Sequence, residues 1–411
     1  MCLTLKTNKD FMELVNSFLL QLDKIKTLKN EGGSICYSLQ NNSSRYFIFP
    51  GFCDVHVHFR EPGFFYKESI ESGSSSALNG GYTSVCTMPN LNPVPDTLSN
   101  LQVQLDLINK NSRIDIYPYA SITINQQGKV LSNFDELAPY VAGFSDDGKG
   151  VQSTIIMEEA MLRAKALDKV IVAHCEDESL LNGGYIHDGD YAKKNGHKGI
   201  SSKSEWLPIE RDIKLAKKTG VKYHVCHIST KESVDLIRRA KKDGVDITCE
   251  TAPHYILKDD SMLVDDGRYK MNPPIRANED RLAILEGILD GTIDMIATDH
   301  APHSKEEKSK GLKDSLNGVV GLETAFPVLY TNLVKKGIIS LDKLVELMAI
   351  NPRKRFNIPL NDSYVLWDLD NEYVIDSNNF LSKGKSTPFL GEKVFGECKM
   401  VYKNGKIVFS K

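Results

Sequence analysis

Eight short apolar runs alternating with stretches of helical period, a length of 411 residues, and a tail whose pattern changes to hairpins predict an α/β fold. Together they describe a (β/α)8 TIM barrel with a small β lobe formed by the chain termini. Barrels of this kind run to about 250 residues, so the length leaves room for loops and a second lobe. The runs are 46–55, 83–88, 114–122, 141–144, 170–174, 222–227, 246–250 and 294–298, each rich in β-branched or aromatic residues. Between them, 154–167, 206–218, 231–242 and 279–289 repeat apolar residues at three- and four-residue spacing, as helices covering a barrel must. The barrel is expected over 46–359 and the lobe over 1–45 and 360–411. In the tail, Asn404-Gly405 lies between apolar triplets at 400–402 and 407–409, a strong hairpin signal. At the other end 3–6 and 35–39 are strand candidates around a helix-like 8–30, so that half of the lobe is expected to be reduced or helical.

The bulk composition narrows the function. With 51 basic against 54 acidic side chains the net charge is -3, which lacks the electrostatic footprint of a nucleic-acid binder and favours a small-molecule partner. Eight cysteines are scattered without a CxxC pair, several inside apolar runs, as in a protein of a reducing, cytoplasmic compartment. The apolar run 11–20 is interrupted by Glu13 and Asn16, and reads as an amphipathic helix. No stretch approaches the roughly 18 uninterrupted apolar residues of a membrane span.

In a barrel the chemistry sits where strands end at the C-terminal face. His56 and His58 lie at the end of the first predicted strand, two residues apart, so both imidazoles point to one side of an extended chain. A His-x-His pair alone says little. Further ligand types stand at other strand ends: Asp146 or Asp147 after the fourth, His174 after the fifth, His227 after the sixth and Asp299 after the eighth. Histidine and carboxylate donors suit zinc, and six groups with two carboxylates suit a pair of ions better than one tetrahedral ion.

The segments PGFCDVHVHFREPG (50–63), MPN (88–90), FSDDG (144–148), AHCE (173–176), CHIS (226–229) and TDHAPH (298–303) occur in that order over roughly 46–330. As an ordered set they resemble the motif series of class I dihydroorotases, in the amidohydrolase superfamily. The resemblance implies two Zn2+ per subunit: His56, His58 and Asp299 on the first ion, His174 and His227 on the second, and Asp147 bridging both. Many relatives bridge with a carboxylated lysine, and this chain has none at that place. It implies reversible hydrolysis of (S)-dihydroorotate to N-carbamoyl-L-aspartate in de novo pyrimidine (UMP) biosynthesis. A hydroxide activated between the metals attacks the ring amide, with Asp299 as general base and then acid. It also implies a homodimer and association with aspartate transcarbamoylase.

Dihydroorotate carries a carboxylate, so its site needs positive charge. Arg60, two residues past His58, offers a planar fork for a bidentate pair, and Asn90, Asn272 and His303 match substrate-holding positions of the family. The segment 304–318 is rich in Lys, Glu, Ser and Gly without periodicity, as in a loop over the mouth. Within it Leu316-Asn317-Gly318 stands where relatives carry Pro-Phe-Gly or Pro-Asn-Gly, which implies substrate contacts from the backbone of Asn317 and Gly318.

Other histidines take ordinary roles. His224, three residues before His227, is expected to face the other side of its strand as a hydrogen-bonded residue. His254 matches a recurrent family stretch as a supporter of ligands, His187 and His197 lie in a Gly-rich, polar insertion and are expected to be solvated, and the role of His300, directly after Asp299, stays open, orienting Asp299 being one reading. The basic residues at 238–239 and 241–242 read as a solvated helix face. Two further readings compete. An allantoinase or hydantoinase shares the scaffold, but the missing lysine and the segment 58–63 oppose it. A catalytically silent scaffold for aspartate transcarbamoylase is opposed by the intact ligand set.

Overall fold

The computed structural model describes residues 46–411. The expected strands at 3–6 and 35–39 and the helix-like 8–30 lie outside the described residues. All eight predicted barrel strands are present: β2 (Phe52–Val57), β3 (Tyr82–Thr87), β4 (Asp115–Ala120), β5 (Gly143–Phe144), β6 (Val170–Ala173), β7 (Lys222–Val225), β8 (Ile247–Thr251) and β9 (Met295–Ile296). They form one sheet in chain order, with every neighbouring pair parallel. Its edges meet. Val57 bridges His300, and the His58 N–H donates to the His300 carbonyl at 2.8 Å. Beneath that contact the buried Asp54 carboxylate accepts the backbone N–H of Thr298 at 3.0 Å and of His56 at 2.9 Å.

Alternation along the strands separates two cores. Cys53, Val55, Cys86, Tyr119, Val172 and Met295 fill the barrel interior, where Phe356 packs against Tyr119 and His224. Val85, Ile171, Tyr223, Val225 and Ile247 point outward against the covering helices. Those helices include α1 (Ile70–Asn79), α2 (Leu98–Asn111), α3 (Thr154–Ala166), α4 (Lys203–Thr219), α5 (Lys231–Lys242) and α6 (Asn278–Leu289). Side-chain caps start several of them. Ser69 forms a capping box with Ser72, Ser153 accepts from the Ile156 N–H, and Thr230 accepts from the Ser233 N–H.

One predicted strand divides. The run read as 46–55 is two elements: β1 (Tyr46–Pro50) joins a second sheet, and β2 begins the barrel. The second sheet is antiparallel in the order β1, β10 (Ser363–Val374), β11 (Lys393–Lys403) and β12 (Lys406–Ser410). The predicted turn joins the last two, with Asn404 and Gly405 both at positive φ, 50° and 84°, as a two-residue hairpin requires. The division falls at Gly51 because the chain presses there against β3. A Cβ at Gly51 would lie 2.1 Å from Thr83 Oγ1.

Arg353 fastens this junction. Its buried guanidinium donates to the carbonyls of Gly51 (3.0 Å) and Pro359 (2.9 Å) and to the hydroxyls of Thr83 (3.0 Å) and Ser84 (3.0 Å). Replacing it takes the donor from these four acceptors and from the Phe52 carbonyl, 3.4 Å away. Arg353→Met is expected to lower the unfolding free energy by roughly 2–4 kcal/mol. Urea denaturation followed by circular dichroism measures this, and an unchanged midpoint would refute the role.

Candidate metal centre

The mouth is built by residues that follow strands β2, β3, β5, β6, β7 and β9. Reaching it takes local departures from regular backbone. Cys53 and Val55 face the interior, whereas His56 and His58 face it one step further on; the register shift between Asp54 and Val57 absorbs that change of parity. His227 and Asp299 have φ of 29° and 48°, values that non-glycine residues adopt rarely and that cluster at functional sites. The twist at His227 corrects the expectation for His224. Both histidines face the interior, His224 one layer lower, bonded to Thr248 Oγ1 at 2.8 Å and Glu250 Oε2 at 3.1 Å.

The six expected ligands converge. Asp147 is central: its Oδ1 lies 3.3 Å from His56 Nε2, 3.6 Å from His174 Nδ1 and 3.6 Å from His227 Nε2, and its Oδ2 lies 3.4 Å from His58 Nε2. Asp299 Oδ1 stands 3.1 Å from His58 Nε2 and 3.5 Å from His56 Nε2. Donor atoms of His56, His58 and Asp299 all lie within 4.8 Å of one another, as do those of His56, Asp147 and His227. Asp146, the adjacent carboxylate, points away: it accepts from the backbone N–H groups of Ile122 (2.8 Å) and Thr123 (3.1 Å) and from the Thr123 hydroxyl.

The donor chemistry fits cations. His56 Nε2 and Asp147 Oδ1 are buried with no hydrogen-bond partner, a state that costs about 1–3 kcal/mol per group unless an ion satisfies them. Burial opposes ionisation of Asp147, yet the imidazoles of His56, His174 and His227 gathered around it hold it well below the usual carboxylate range. Asp299 is likewise held down against burial by His58 and His56. Both carboxylates are anionic near neutral pH.

Two partners behind the histidines aim their lone pairs inward. Glu250 Oε1 accepts from His56 Nδ1 at 2.6 Å, and Asn90 Oδ1 accepts from His58 Nδ1 at 2.9 Å, which leaves each Nε2 facing the centre. Glu250 was missed by the sequence reading. Its signal was a lone acid near the end of the short strand Ile247–Thr251, which holds no other charged residue. Glu176 was missed too; it accepts from Asn272 Nδ2 at 2.8 Å and lies 3.7 Å from His174 Nε2. The expected ligand supporter His254 is buried and pushed down to about 4, chiefly by that burial. His300 does not bond Asp299; its Nε2 is 3.3 Å from the buried Glu68 and its Nδ1 accepts the Gly321 N–H at 3.2 Å. Orienting Asp299 is therefore not its role, and His187, expected to be solvated, is buried.

The residues expected to hold substrate form one rim. Arg60, 8% exposed, donates from Nε to the Pro302 carbonyl at 3.3 Å. Burial pushes it down to about 10, and Asp299, Asp147 and Glu307 offset that as charges; among the described residues none forms an ion pair with it. His303 Nε2 contacts the Asn317 carbonyl at 2.7 Å. The Gly318 N–H donates to the Lys270 carbonyl at 3.0 Å, and at φ 132° a Cβ there would lie 2.5 Å from the Ala301 carbonyl. Asn272 presents a buried Oδ1 with no hydrogen-bond partner. A cleft of about 840 Å3 opens at the opposite end of the barrel beside Lys169, Lys222 and Phe356, and none of these site residues borders it.

A parallel barrel whose mouth gathers four histidines and two aspartates, four of them on Asp147 or Asp299, defines the class: a metal-dependent amidohydrolase. The matching family model is described as dihydro-orotase-like and covers residues 45–233. A dihydroorotase of Fusobacterium nucleatum is 50% identical over 371 residues, 88% of this chain and 87% of the relative. One of Bacillus subtilis is 49% identical over 377 residues, 88% of each chain. Among solved structures, an L-hydantoinase (dihydropyrimidinase) from Arthrobacter aurescens superposes with a TM-score of 0.80 at 27% identity, covering 93% of this chain and 92% of that one. A dihydropyrimidinase from Brevibacillus agri, at 20% identity and a TM-score of 0.76 over 94% and 90%, shares the fold. The chain belongs to the dihydroorotase family.

Glu250→Gln keeps the shape of the side chain and removes the charge behind His56. It is expected to weaken metal binding by about 10–100-fold, the usual effect of losing such a partner. Competition with a chelating dye measures this; unchanged affinity would remove Glu250 from the centre.

Proposed function

We propose that this protein is a dihydroorotase, hydrolysing (S)-dihydroorotate reversibly to N-carbamoyl-L-aspartate in pyrimidine synthesis. The observation that carries the substrate is Arg60. A buried guanidinium without an ion-pair partner among the described residues, beside a cluster of metal-ligand groups, asks for an anion such as a ligand carboxylate. A ring bearing a carboxylate supplies one.

The reading assigns two zinc ions per subunit. His56, His58 and Asp299 would hold one, His174 and His227 the other, and Asp147 both. The ions, when bound, polarise the ring amide carbonyl and make a water molecule acidic near neutral pH. The chain's residues do the rest. Asp299, anionic and 3.1 Å from His58 Nε2, takes the proton of the attacking water and returns it to the departing ring nitrogen as the C–N bond breaks. Arg60 pairs with the substrate carboxylate, and Asn90, Asn272 and His303 fix the ring. The backbone of Asn317 and Gly318 closes the rim. In the reverse direction Asp299 accepts the proton of the carbamoyl nitrogen, and water leaves.

A hydantoinase reading draws on the Arthrobacter structure, but hydantoin lacks the carboxylate that Arg60 calls for. Offering metal-loaded protein dihydroorotate, allantoin and hydantoin separates them; turnover of allantoin or hydantoin without dihydroorotate overturns the proposal. Arg60→Met is expected to raise KM for dihydroorotate by about 30–100-fold, corresponding to roughly 2–3 kcal/mol for a charge-assisted pair. Asp299→Asn is expected to lower kcat by at least about 10²–10⁴-fold, because it removes the proton acceptor and weakens a metal ligand. Chelation should abolish turnover and added zinc restore it. The scaffold reading for aspartate transcarbamoylase would gain if metal failed to bind.

A cytoplasmic site of action is supported by six buried free cysteines among the described residues, Cys53, Cys86, Cys175, Cys226, Cys249 and Cys398. No helix among them is long and apolar enough to cross a membrane. A homodimer and association with aspartate transcarbamoylase belong to the same family reading, and sedimentation velocity of the protein with and without that partner tests both.

A further inference from the structure

Lys67 has no part in the ligand or substrate set above, yet it lies against it. It follows the loop that carries Arg60, its side chain is 12% exposed, and its ammonium lies 3.2 Å from His303 Nδ1 and 2.9 Å from Glu307 Oε1. Glu307 in turn caps the short helix Lys305–Lys308, accepting the Ser304 N–H at 2.9 Å, and takes the Tyr66 hydroxyl at 3.2 Å. Residues 66–67 and 303–307, from loops after the first and last barrel strands, are thus joined above the seam.

Which ring nitrogen of His303 carries hydrogen follows from these contacts. Burial, together with the neighbouring cations of Arg60 and Lys67, pushes His303 down to about 3, so the ring is neutral and holds one N–H. The Asn317 carbonyl, 2.7 Å from Nε2, can only accept, so the hydrogen sits on Nε2. Nδ1 is then a bare lone pair, and an ammonium that can only donate is the partner it needs. The Glu307 carboxylate is 3.4 Å from the same Nδ1 and would draw a proton there if Lys67 were absent. The state of Nε2 matters to Arg60, whose Nη2 is 3.4 Å away. Facing an N–H, that nitrogen has nothing to bond to. Facing a lone pair, it would be committed to His303.

We infer that Lys67 is a positioning residue: by occupying Nδ1 of His303 it keeps the ring hydrogen on Nε2 and leaves the Arg60 guanidinium free for a ligand carboxylate. The inference rests on the dihydroorotase reading for what that carboxylate is, and on the burial and contacts of His303 for the tautomer.

The test uses full-length, metal-loaded protein. Long-range 1H–15N spectra of histidine-labelled protein, with the His303 signals assigned by their loss in His303→Gln, are expected to show a protonated Nε2 and an unprotonated Nδ1 in the wild type. In Lys67→Met the hydrogen is expected on Nδ1, or on both nitrogens, with KM for dihydroorotate raised about tenfold and kcat changed far less. Lys67→Arg, also a pure donor, should restore the wild-type tautomer and most of KM. A wild-type spectrum with hydrogen on Nδ1 overturns the proposal even if Lys67→Met fails to fold. So does a Lys67→Met protein with wild-type tautomer and KM. If the tautomer is as stated and wild-type protein turns over no dihydroorotate, the substrate reading fails while the role of Lys67 stands, and the KM comparison moves to the substrate that is turned over.

Discussion

The carboxylate of Asp54 ties the first barrel strand to the last. It accepts one N–H from His56 on its own strand and one from Thr298 across the seam, wholly buried. Three of the six ligand-type residues stand at those two edges, His56 and His58 on one and Asp299 on the other. The 3.1 Å approach of His58 to Asp299 therefore exists only because the sheet closes there. Burial pushes Asp54 up to about 7 against the hydrogen bonds it accepts, so the seam places an acid in a setting that tolerates its charge poorly. Closure and site geometry rest on the same side chain.

Above the seam the mouth divides into two electrostatic halves. On the inner side, Asp147, Asp299 and Glu250 face four imidazoles, an arrangement that favours cations. On the rim, Arg60 and Lys67 present positive charge, with Glu307 holding the second of them in place. In the proposed function, a substrate with a polarisable ring amide at one end and a carboxylate at the other would span those halves. The separation sets orientation, because turning such a ring around would place its carboxylate against Asp299.

Much of this was legible in the sequence because period and chemistry coincide in a barrel. Strand ends are where apolar alternation stops, and the residues just beyond them, His56, His174, His227 and Asp299, are of ligand type. What periodicity could not reach was local irregularity. A register shift in β2 and positive φ at His227 reverse which residues face inward, so counting by twos misplaced His224. The split at Gly51 was hidden because both halves of 46–55 are equally apolar, and only contact with Thr83 separates them. Glu250 and Lys67 have their partners far away in the chain, as Glu176 has Asn272, and no spacing rule links position 67 to 303, 56 to 250 or 176 to 272. The choice of Asp147 over Asp146 came from family register; the geometry agrees because the neighbour is consumed by the turn at 122–123.

The junction at Gly51 also bears on how the chain assembles. β1 pairs with β10, more than 300 residues further along, and the guanidinium that fastens Gly51 to β3 belongs to Arg353. Phe356, which packs inside the barrel, comes just after it. During synthesis the first strand of the lobe and the floor of the barrel must both wait until nearly the whole chain has left the ribosome. Contacts of such long sequence separation close late and slowly. The eight strands can pair in order as they emerge, but the native barrel is sealed from its last residues backward.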